Sequence, residues 1–207
     1  MKRGTRRIET QLAVIGTGIA GFAASIFAVN RGLDVAQFGH SGAMAYTTGY
    51  LDLLGMHDQT VRQDPWTSLD ELRRDEPRHP MSGLSNESIR TAFDGFVDAL
   101  GEMGIGYTKA GDQNLNGLLP NGIDKPTLSV PETMLPGIAA LETGAMTLVV
   151  DFDGLQGFSA KAFTVNFAER WPGLSSARLT FPGMENRQVF PEVLARALET
   201  RATQEAL

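Results

Sequence analysis

A glycine-rich octapeptide, VIGTGIAG at residues 14–21, constrains the fold of this chain more than any other feature. An apolar run at 11–15, predicted to be a buried parallel strand, precedes it. An apolar stretch with helical spacing follows at 19–30, and a second apolar run at 33–38 reads as another strand. This order predicts a β-α-β unit, the start of a Rossmann-like core.

The three glycines of the motif have separate roles in such a unit. Gly16 makes the tight turn, Gly18 lets the backbone approach a phosphate, and Gly21 lets helix and strand pack closely. The helix N-terminus then offers oriented N–H groups to an anion. The motif therefore predicts a phosphate or pyrophosphate site on the first turn of the helix.

The position after the second strand departs from the usual dinucleotide pattern. An acidic side chain normally accepts hydrogen bonds from the ribose there, but this chain has Gly39. Either backbone groups or Ser41 hold an adenosine weakly, or the ligand has no adenosine ribose. Flavin mononucleotide (FMN) carries its phosphate on a ribityl chain, so the missing acid favours FMN over a dinucleotide.

Small and hydroxyl-bearing residues follow in SGAMAYTTGYLDLL, residues 41–54. Small side chains permit close approach of the backbone to a flat isoalloxazine, and hydroxyls can bond its polar edge. We expect Ser41, Thr47, Thr48 and Gly49 to contact the cofactor. The alternative is that Thr47 or Thr48 caps a helix over the apolar run that follows.

The rest of the chain alternates further helices and strands. Helical patterns cover 68–75, 86–103, 158–170 and 191–205, strands are predicted at 145–150 and 177–181, and 111–136 is predicted to be irregular or in short edge strands. The fold class is therefore α/β: a Rossmann-like FAD/NAD(P)-binding core and a second α/β lobe. We expect residues 8–57 to form the N-terminal part of the flavin- or dinucleotide-binding domain and 58–207 a substrate or cap domain.

Two strands alone cannot form a covered parallel sheet, because both faces of such a sheet are normally buried. We expect the additional strands to come from 145–150 or from sequence beyond Leu207. The second case leaves apolar sheet surface exposed and favours self-association.

Composition excludes several classes of function. The chain has no cysteine, which rules out thiolate metal sites and disulfides within it and fits a reducing cytoplasm, and it has only three histidines. No metal site is predicted. A formal net charge of -6 argues against nucleic-acid binding, and no apolar run is long enough for a membrane span.

These features resemble the B subunit of anaerobic glycerol-3-phosphate dehydrogenase. Members of that family share the glycine fingerprint, lack the acidic residue and continue with an SGSLDLL-like segment. The resemblance extends over PRHPMSG, GLLPNGIDKPTLSVPETMLPG and TLVVDFDGLQGFSAKAFTVNF, and covers most of residues 11–198. Family members are about twice as long, which implies that the C-terminal half of the family fold is missing from this chain.

The resemblance implies a flavin subunit, with FMN as cofactor (FAD is the alternative), of a three-subunit complex associated with the membrane. Such a complex oxidises sn-glycerol 3-phosphate to dihydroxyacetone phosphate and passes electrons to the quinone pool in anaerobic respiration. The implied partners are a second flavoprotein subunit and an iron–sulfur subunit. They imply a cytoplasmic location, peripheral to the inner membrane.

The pattern does not identify catalytic residues. Oxidation of a secondary alcohol needs a base, for which His57 and His79 are weak candidates by residue type, and Lys125 is a weak candidate for a substrate phosphate. Two other functions remain open. One is an FAD-dependent oxidoreductase of the fumarate-reductase-like type, and the other is a non-catalytic assembly subunit of a redox complex.

Overall fold

The computed structural model describes residues 7–40, 47–185 and 187–207. The chain forms two compact units. The first consists of Met1–Leu115 and Pro126–Thr133, and the second of Asn116–Lys125 and Met134–Leu207. The two units are defined by their compactness and not by function. The predicted functional domains at 8–57 and 58–207 therefore stay a prediction.

The first unit begins with the predicted β-α-β element. It consists of β1 (Leu12–Ile15), α1 (Ile19–Val29) and β2 (Val35–Phe38). The two strands pair in parallel, with Leu12 opposite Val35 and Ile15 opposite Phe38. Gly32, at φ +77°, ends the helix in the left-handed region that glycine adopts without penalty.

A hairpin and two helices complete the ordered elements of the first unit. Strands β3 (Met56–His57) and β4 (Thr60–Val61) pair antiparallel, and the two residues between them both have positive φ, as a type I′ turn requires. Helices α2 (Pro65–Asp75) and α3 (Asn86–Glu102) follow, with a 3-10 turn between them. Their apolar faces form two buried clusters, one of which includes side chains of α1.

The chain passes to the second unit through a two-stranded sheet of β5 (Leu115–Leu118) and β6 (Asp124–Thr127). The second unit has a parallel β-α-β element of its own, in which β7 and β8 pair over six residues. Its elements are α4 (Leu135–Thr143), β7 (Thr147–Phe152), α5 (Ala160–Phe167), β8 (Leu174–Leu179), α6 (Pro191–Ala197) and α7 (Arg201–Ala206).

The α/β fold class is confirmed, with four differences in detail. Helix α4 begins inside the stretch predicted to be irregular, and the predicted helix at 191–205 is two helices, because Thr200 caps a new one. Residues 58–80, whose polar and proline-containing composition predicts a loop with one short helix, contain β4. No helix follows Thr48; instead Leu51 forms an antiparallel bridge with Ser129, so this apolar run is extended.

The strand at 145–150 does not extend the sheet of β1 and β2. Among the described residues that sheet has two strands, and β7 pairs with β8 instead. The apolar side chains around it are correspondingly exposed: Ile15 keeps 91% of its surface and Phe38 keeps 47%. The apolar residues at 19–30 also predict a largely buried helix, and this prediction is wrong, since Ala28 is the one buried residue of α1.

Candidate functional site

The turn between β1 and α1 is held by the neighbouring strand. Gly16 adopts φ +121°, which L-residues with a side chain rarely reach. Its N–H donates to the Phe38 carbonyl at 2.7 Å, and its carbonyl accepts from Gln37 Nε2 at 2.8 Å. Gln37 Oε1 in turn accepts from the Ser25 hydroxyl on α1 at 3.1 Å. One half-buried amide on β2 therefore ties the glycine turn to the helix.

Gly21 has the close-packing role predicted for it. A Cβ at this position would lie 2.4 Å from the Gly16 carbonyl oxygen, a distance that real Cβ atoms do not show. The turn from β1 to α1 is only three residues long, residues 16–18, so the helix begins directly against the strand. Glycine is needed here for space, since the obstacle is backbone and cannot rotate away.

Gly18 is the N-cap of α1, and its backbone is extended at φ -85°. Any residue adopts this conformation, so backbone geometry alone does not require glycine. Among the described residues no side chain caps this helix, and its first turn has no acidic residue. Helices α2, α3 and α5, in contrast, are capped by Asp64, Ser85 and Ser159. The N-terminus of α1 is therefore suited to an anionic ligand.

The space beside Gly39, where β2 ends, is filled by Thr17. A Cβ on Gly39 would lie 2.3 Å from Thr17 Cγ2 and 2.6 Å from its Oγ1. The Thr17 hydroxyl donates to the His40 carbonyl at 2.8 Å. The acidic residue of the usual pattern is thus excluded sterically by a residue of the glycine motif itself.

The predicted cofactor segment is ordered by hydrogen bonds at Thr47, Thr48 and Gly49. The Thr47 hydroxyl accepts from the Gly49 N–H at 3.2 Å and the Thr48 hydroxyl from the Tyr50 N–H at 3.3 Å. Gly49 has φ +73°, and its carbonyl accepts from the Tyr107 hydroxyl at 2.6 Å. Burial raises the pKa of Tyr107. Ser41, the fourth predicted contact, lies outside the described residues.

A cavity of about 280 Å³ is lined by both predicted cofactor segments, the start of α1 and the stretch that follows Gly49. It is lined by Ile19, the first residue of α1, and by Tyr50 and Asp52, which follow Gly49. Phenylalanines of α1 and α3 form the apolar part of its wall. Burial, with a contribution from the nearby Asp52 carboxylate, raises the pKa of Tyr50 to about 12, so the phenol stays neutral at physiological pH.

The weak candidates for catalysis and substrate binding are distant in sequence from the glycine motif, and the two histidines among them already contact other residues. His57 is on β3, only 10% of its side chain is exposed, and its Nε2 lies 3.0 Å from Asp75 Oδ2. His79 Nδ1 accepts from the Met81 N–H at 3.2 Å and so caps the 3-10 turn. Lys125 is half-buried on β6, in the second compact unit. Their catalytic and substrate roles stay predictions.

Three residues that support the site were not identified from the sequence. Thr17 occupies a variable position of the motif, Gln37 interrupts an apolar strand, and Tyr107 is 58 residues from its partner Gly49. Gln37 carried the one usable signal, because a polar side chain within a predicted buried strand requires a hydrogen-bond partner. The contacts of Thr17 and Tyr107 depend on tertiary neighbours.

Two other kinds of site are not seen in the part of the chain that the structure describes. Its histidine, aspartate and glutamate side chains form no group of three or more that could hold a metal ion. None of its helices combines the length and apolar character needed to cross a bilayer.

The comparison with known families decides the assignment. The model of the FAD binding domain family matches residues 11–178, which include the first β-α-β element and all of the second except its last residue. The chain belongs to the FAD binding domain family. Family membership supports a flavin cofactor, and FAD is the flavin that the family description names.

Curated relatives of this FAD binding domain carry one name. A protein of Vibrio vulnificus strain YJ016, named as the B subunit of anaerobic glycerol-3-phosphate dehydrogenase, is 29% identical over 128 residues, 60% of this chain and 29% of its own length. The protein of the same name in Vibrio cholerae strain N16961 is 26% identical over 191 residues, 88% of this chain and 43% of its own. A Halobacterium salinarum R1 protein, whose name adds the word probable, is 28% identical over 159 residues, 74% of this chain and 35% of its own.

The chain thus spans less than half the length of the curated relatives that it matches. No solved structure matches it. The resemblance to the family of this B subunit, noted from the glycine motif and the segments that follow, is supported by these relatives.

Proposed function

We propose that this FAD binding domain is the flavin-binding part of an oxidoreductase subunit of the anaerobic glycerol-3-phosphate dehydrogenase type. The observation that carries the proposal is the N-terminus of α1. It is the helix end that the glycine motif forms, and no side chain caps it. The family match and the relatives' shared name supply the class of chemistry.

Different residues of the first unit bind different parts of the flavin. The N–H groups of the first turn of α1 bind the phosphate, and Gly18 gives it room. Gly21 and Gln37 fix the helix and the turn against the strands. Thr47, Thr48 and Gly49, held by Tyr107, present backbone and hydroxyl groups to the ring system. The hydrogen-bonding groups of these residues are of the kind that a flavin needs.

The proposed reaction is the oxidation of sn-glycerol 3-phosphate to dihydroxyacetone phosphate, with electrons passed to the quinone pool. A bound flavin supplies the electron acceptor for removal of hydride from the secondary alcohol. A base must take the hydroxyl proton, and His57 and His79 remain the candidates by residue type. Lys125 remains the candidate for the substrate phosphate.

The partners belong to the same proposal. Relatives are named as the B subunit of a dehydrogenase, so they are parts of an assembly. We expect a second flavoprotein subunit and an iron–sulfur subunit to bind this one and to hold it at the inner membrane from the cytoplasmic side.

FMN is the proposed flavin, because the space at the end of β2 lacks the acidic residue that holds an adenosine ribose. The second candidate is an FAD-dependent oxidoreductase of another substrate class, which the family description favours. The two candidates differ in the flavin that they bind more tightly.

Reconstitution tests flavin binding directly. The purified chain is mixed with FMN or FAD, freed of excess flavin and examined for a visible flavin spectrum. Binding supports the proposal. A folded protein that binds neither flavin at high micromolar concentration contradicts it and favours a non-catalytic role in assembly.

A pair of glycine variants shows whether a bound flavin uses the predicted helix end. Gly18→Val should abolish binding and change the unfolding free energy by at most about 1 kcal/mol, since its φ is open to any residue. The control is Gly83→Val, at a glycine with open space around it, which should bind flavin as the parent does. If Gly18→Val retains full binding, the phosphate lies elsewhere.

A further inference from the structure

We propose that Thr17 and Gly39 together set the nucleotide specificity of this site: Thr17 closes the place of an adenosine ribose, and the site selects a flavin whose phosphate is terminal. The inference rests on the proposed flavin site and names the residues that choose between its two candidate ligands.

Gly39 has no room for a side chain while Thr17 is in place. An added Cβ would lie within 2.9 Å of three side-chain atoms of Thr17: Cγ2, Oγ1 and Cβ. All three distances are shorter than real Cβ contacts, and the third involves an atom that no side-chain rotation can move. An aspartate or glutamate at position 39 therefore requires a backbone shift while Thr17 is present.

Thr17 is also held in place. Its hydroxyl donates to the His40 carbonyl at 2.8 Å, which links the glycine turn to the chain just beyond β2. A β-branched side chain has few accessible χ1 rotamers. The preceding residue, Gly16, is bonded to Phe38 and Gln37, so neither the side chain nor its backbone is free to give way.

The consequence concerns the hydrogen bonds that a ribose needs. A carboxylate accepts from both ribose hydroxyls at once, and it is the usual partner at the end of the second strand. The methyl group of Thr17 occupies the space beside Gly39 that the carboxylate would need, and the hydrogen bond from its hydroxyl to the His40 carbonyl holds the side chain there. An adenosine placed here loses its acceptor, whereas a terminal phosphate on α1 needs nothing at this position.

A double-mutant cycle on the purified chain tests the pair. The variants are Gly39→Asp, Thr17→Gly and the combination of both, with Thr17→Gly combined with Gly39→Asn as the control for charge. Dissociation constants for FMN, FAD and ADP are measured by flavin fluorescence and calorimetry, and the unfolding midpoint of each ligand-free variant by circular dichroism.

We expect the parent to bind FMN about tenfold more tightly than FAD. Gly39→Asp alone should lower the unfolding midpoint, and Thr17→Gly in the same chain should restore it. The double variant should shift the FMN-to-FAD preference at least tenfold toward FAD and should gain measurable ADP binding, while the asparagine control gains less because an amide accepts fewer hydrogen bonds.

Equal FMN and FAD binding by the parent overturns this inference and leaves the flavin site standing. So does a Gly39→Asp variant as stable as the parent, or a double variant whose preference does not move. A parent that binds neither flavin overturns the proposed function and the inference together.

Discussion

Both compact units contain a parallel β-α-β element, β1–α1–β2 in the first and β7–α5–β8 in the second, but they treat the helix N-terminus in opposite ways. In the second element, Ser159 caps α5 and the Asp151 carboxylate accepts from the Ala160 N–H at 3.0 Å. Arg178 on β8 donates to both oxygens of that carboxylate, at 2.9 and 2.7 Å. In the first element, the N-cap of α1 is Gly18, which has no side chain to cap the helix, and the neutral amide of Gln37 stabilises the turn.

The difference shows how one topology gives a helix N-terminus with a side-chain cap or one without it. Asp151 supplies the negative charge that favours a helix N-terminus from within the protein, so α5 has no need of an anionic ligand. At α1 the proposed function assigns that position to the phosphate of the flavin. The turn lengths agree with this division: three residues, 16–18, lead into α1, and seven, 153–159, lead into α5. The short turn needs glycine for space where it meets the helix, and the long turn has glycines of its own at positive φ, Gly154 and Gly157.

The largest expected effect is in the short turn. Gly21→Val places its Cβ against the Gly16 carbonyl and should lower the unfolding free energy by about 3 kcal/mol. Urea denaturation followed by circular dichroism measures it. The control is Gly95→Ala, in the interior of α3, where a Cβ makes an ordinary 3.5 Å contact with Phe27; it should be neutral or stabilising by up to about 1 kcal/mol. Equal changes of the unfolding free energy in Gly21→Val and Gly95→Ala would contradict the tight packing of the short turn.

The next effect is in the second element. Asp151→Asn removes the charge of a carboxylate that is only 2% exposed and should cost about 2 kcal/mol. Arg178 is half exposed and can turn toward water, which limits the loss. Asp70→Asn, at a carboxylate that is 64% exposed beside Arg73, is the control and should cost less than about 0.5 kcal/mol. Flavin binding should be unchanged in both variants, and its loss in Asp151→Asn would contradict the structural role.

The same ion pair predicts a dependence on acid. Hydrogen bonds from Arg178 hold the pKa of Asp151 below its ordinary value. The pair therefore contributes fully above about pH 4, the ordinary aspartate pKa, and its contribution is lost as the pH falls through the lower folded value. Melting temperatures of the parent and Asp151→Asn should converge as the pH falls below about 4, the ordinary aspartate pKa. A difference in melting temperature that stays constant with pH would contradict this role of the ion pair.

The smallest effect is at the neutral amide of the first element. Gln37→Leu leaves the Gly16 carbonyl without its donor and should cost about 1 kcal/mol, with no dependence on acid pH. It should also weaken flavin binding, because the turn that presents the phosphate site loosens. Ser25→Ala, which removes only the outer hydrogen bond of the amide, should have a smaller effect on both. A Gln37→Leu variant with unchanged stability and binding would show that the turn is held by the backbone alone.

The sequence by itself determined the features that depend on near neighbours. The first β-α-β element and Gly32, which ends its helix, follow from residues within one or two turns of each other. For α3 the sequence offered Ser85 or Asn86 as the cap, and the structure has Ser85. The close-packing role of Gly21 also follows, because a three-residue turn brings helix and strand together in almost any fold. Local periodicity and turn chemistry carry this information.

Only the tertiary structure decided which segments are partners. Strand β7 pairs with β8 and not with β1, Leu51 pairs with Ser129, and Tyr107 bonds Gly49 across 58 residues. An apolar run indicates a strand, but several strands offer it equivalent backbone groups. The reason for Gly39 is of the same kind. The sequence showed that an acid is absent, and only the packed turn shows that Thr17 occupies its space.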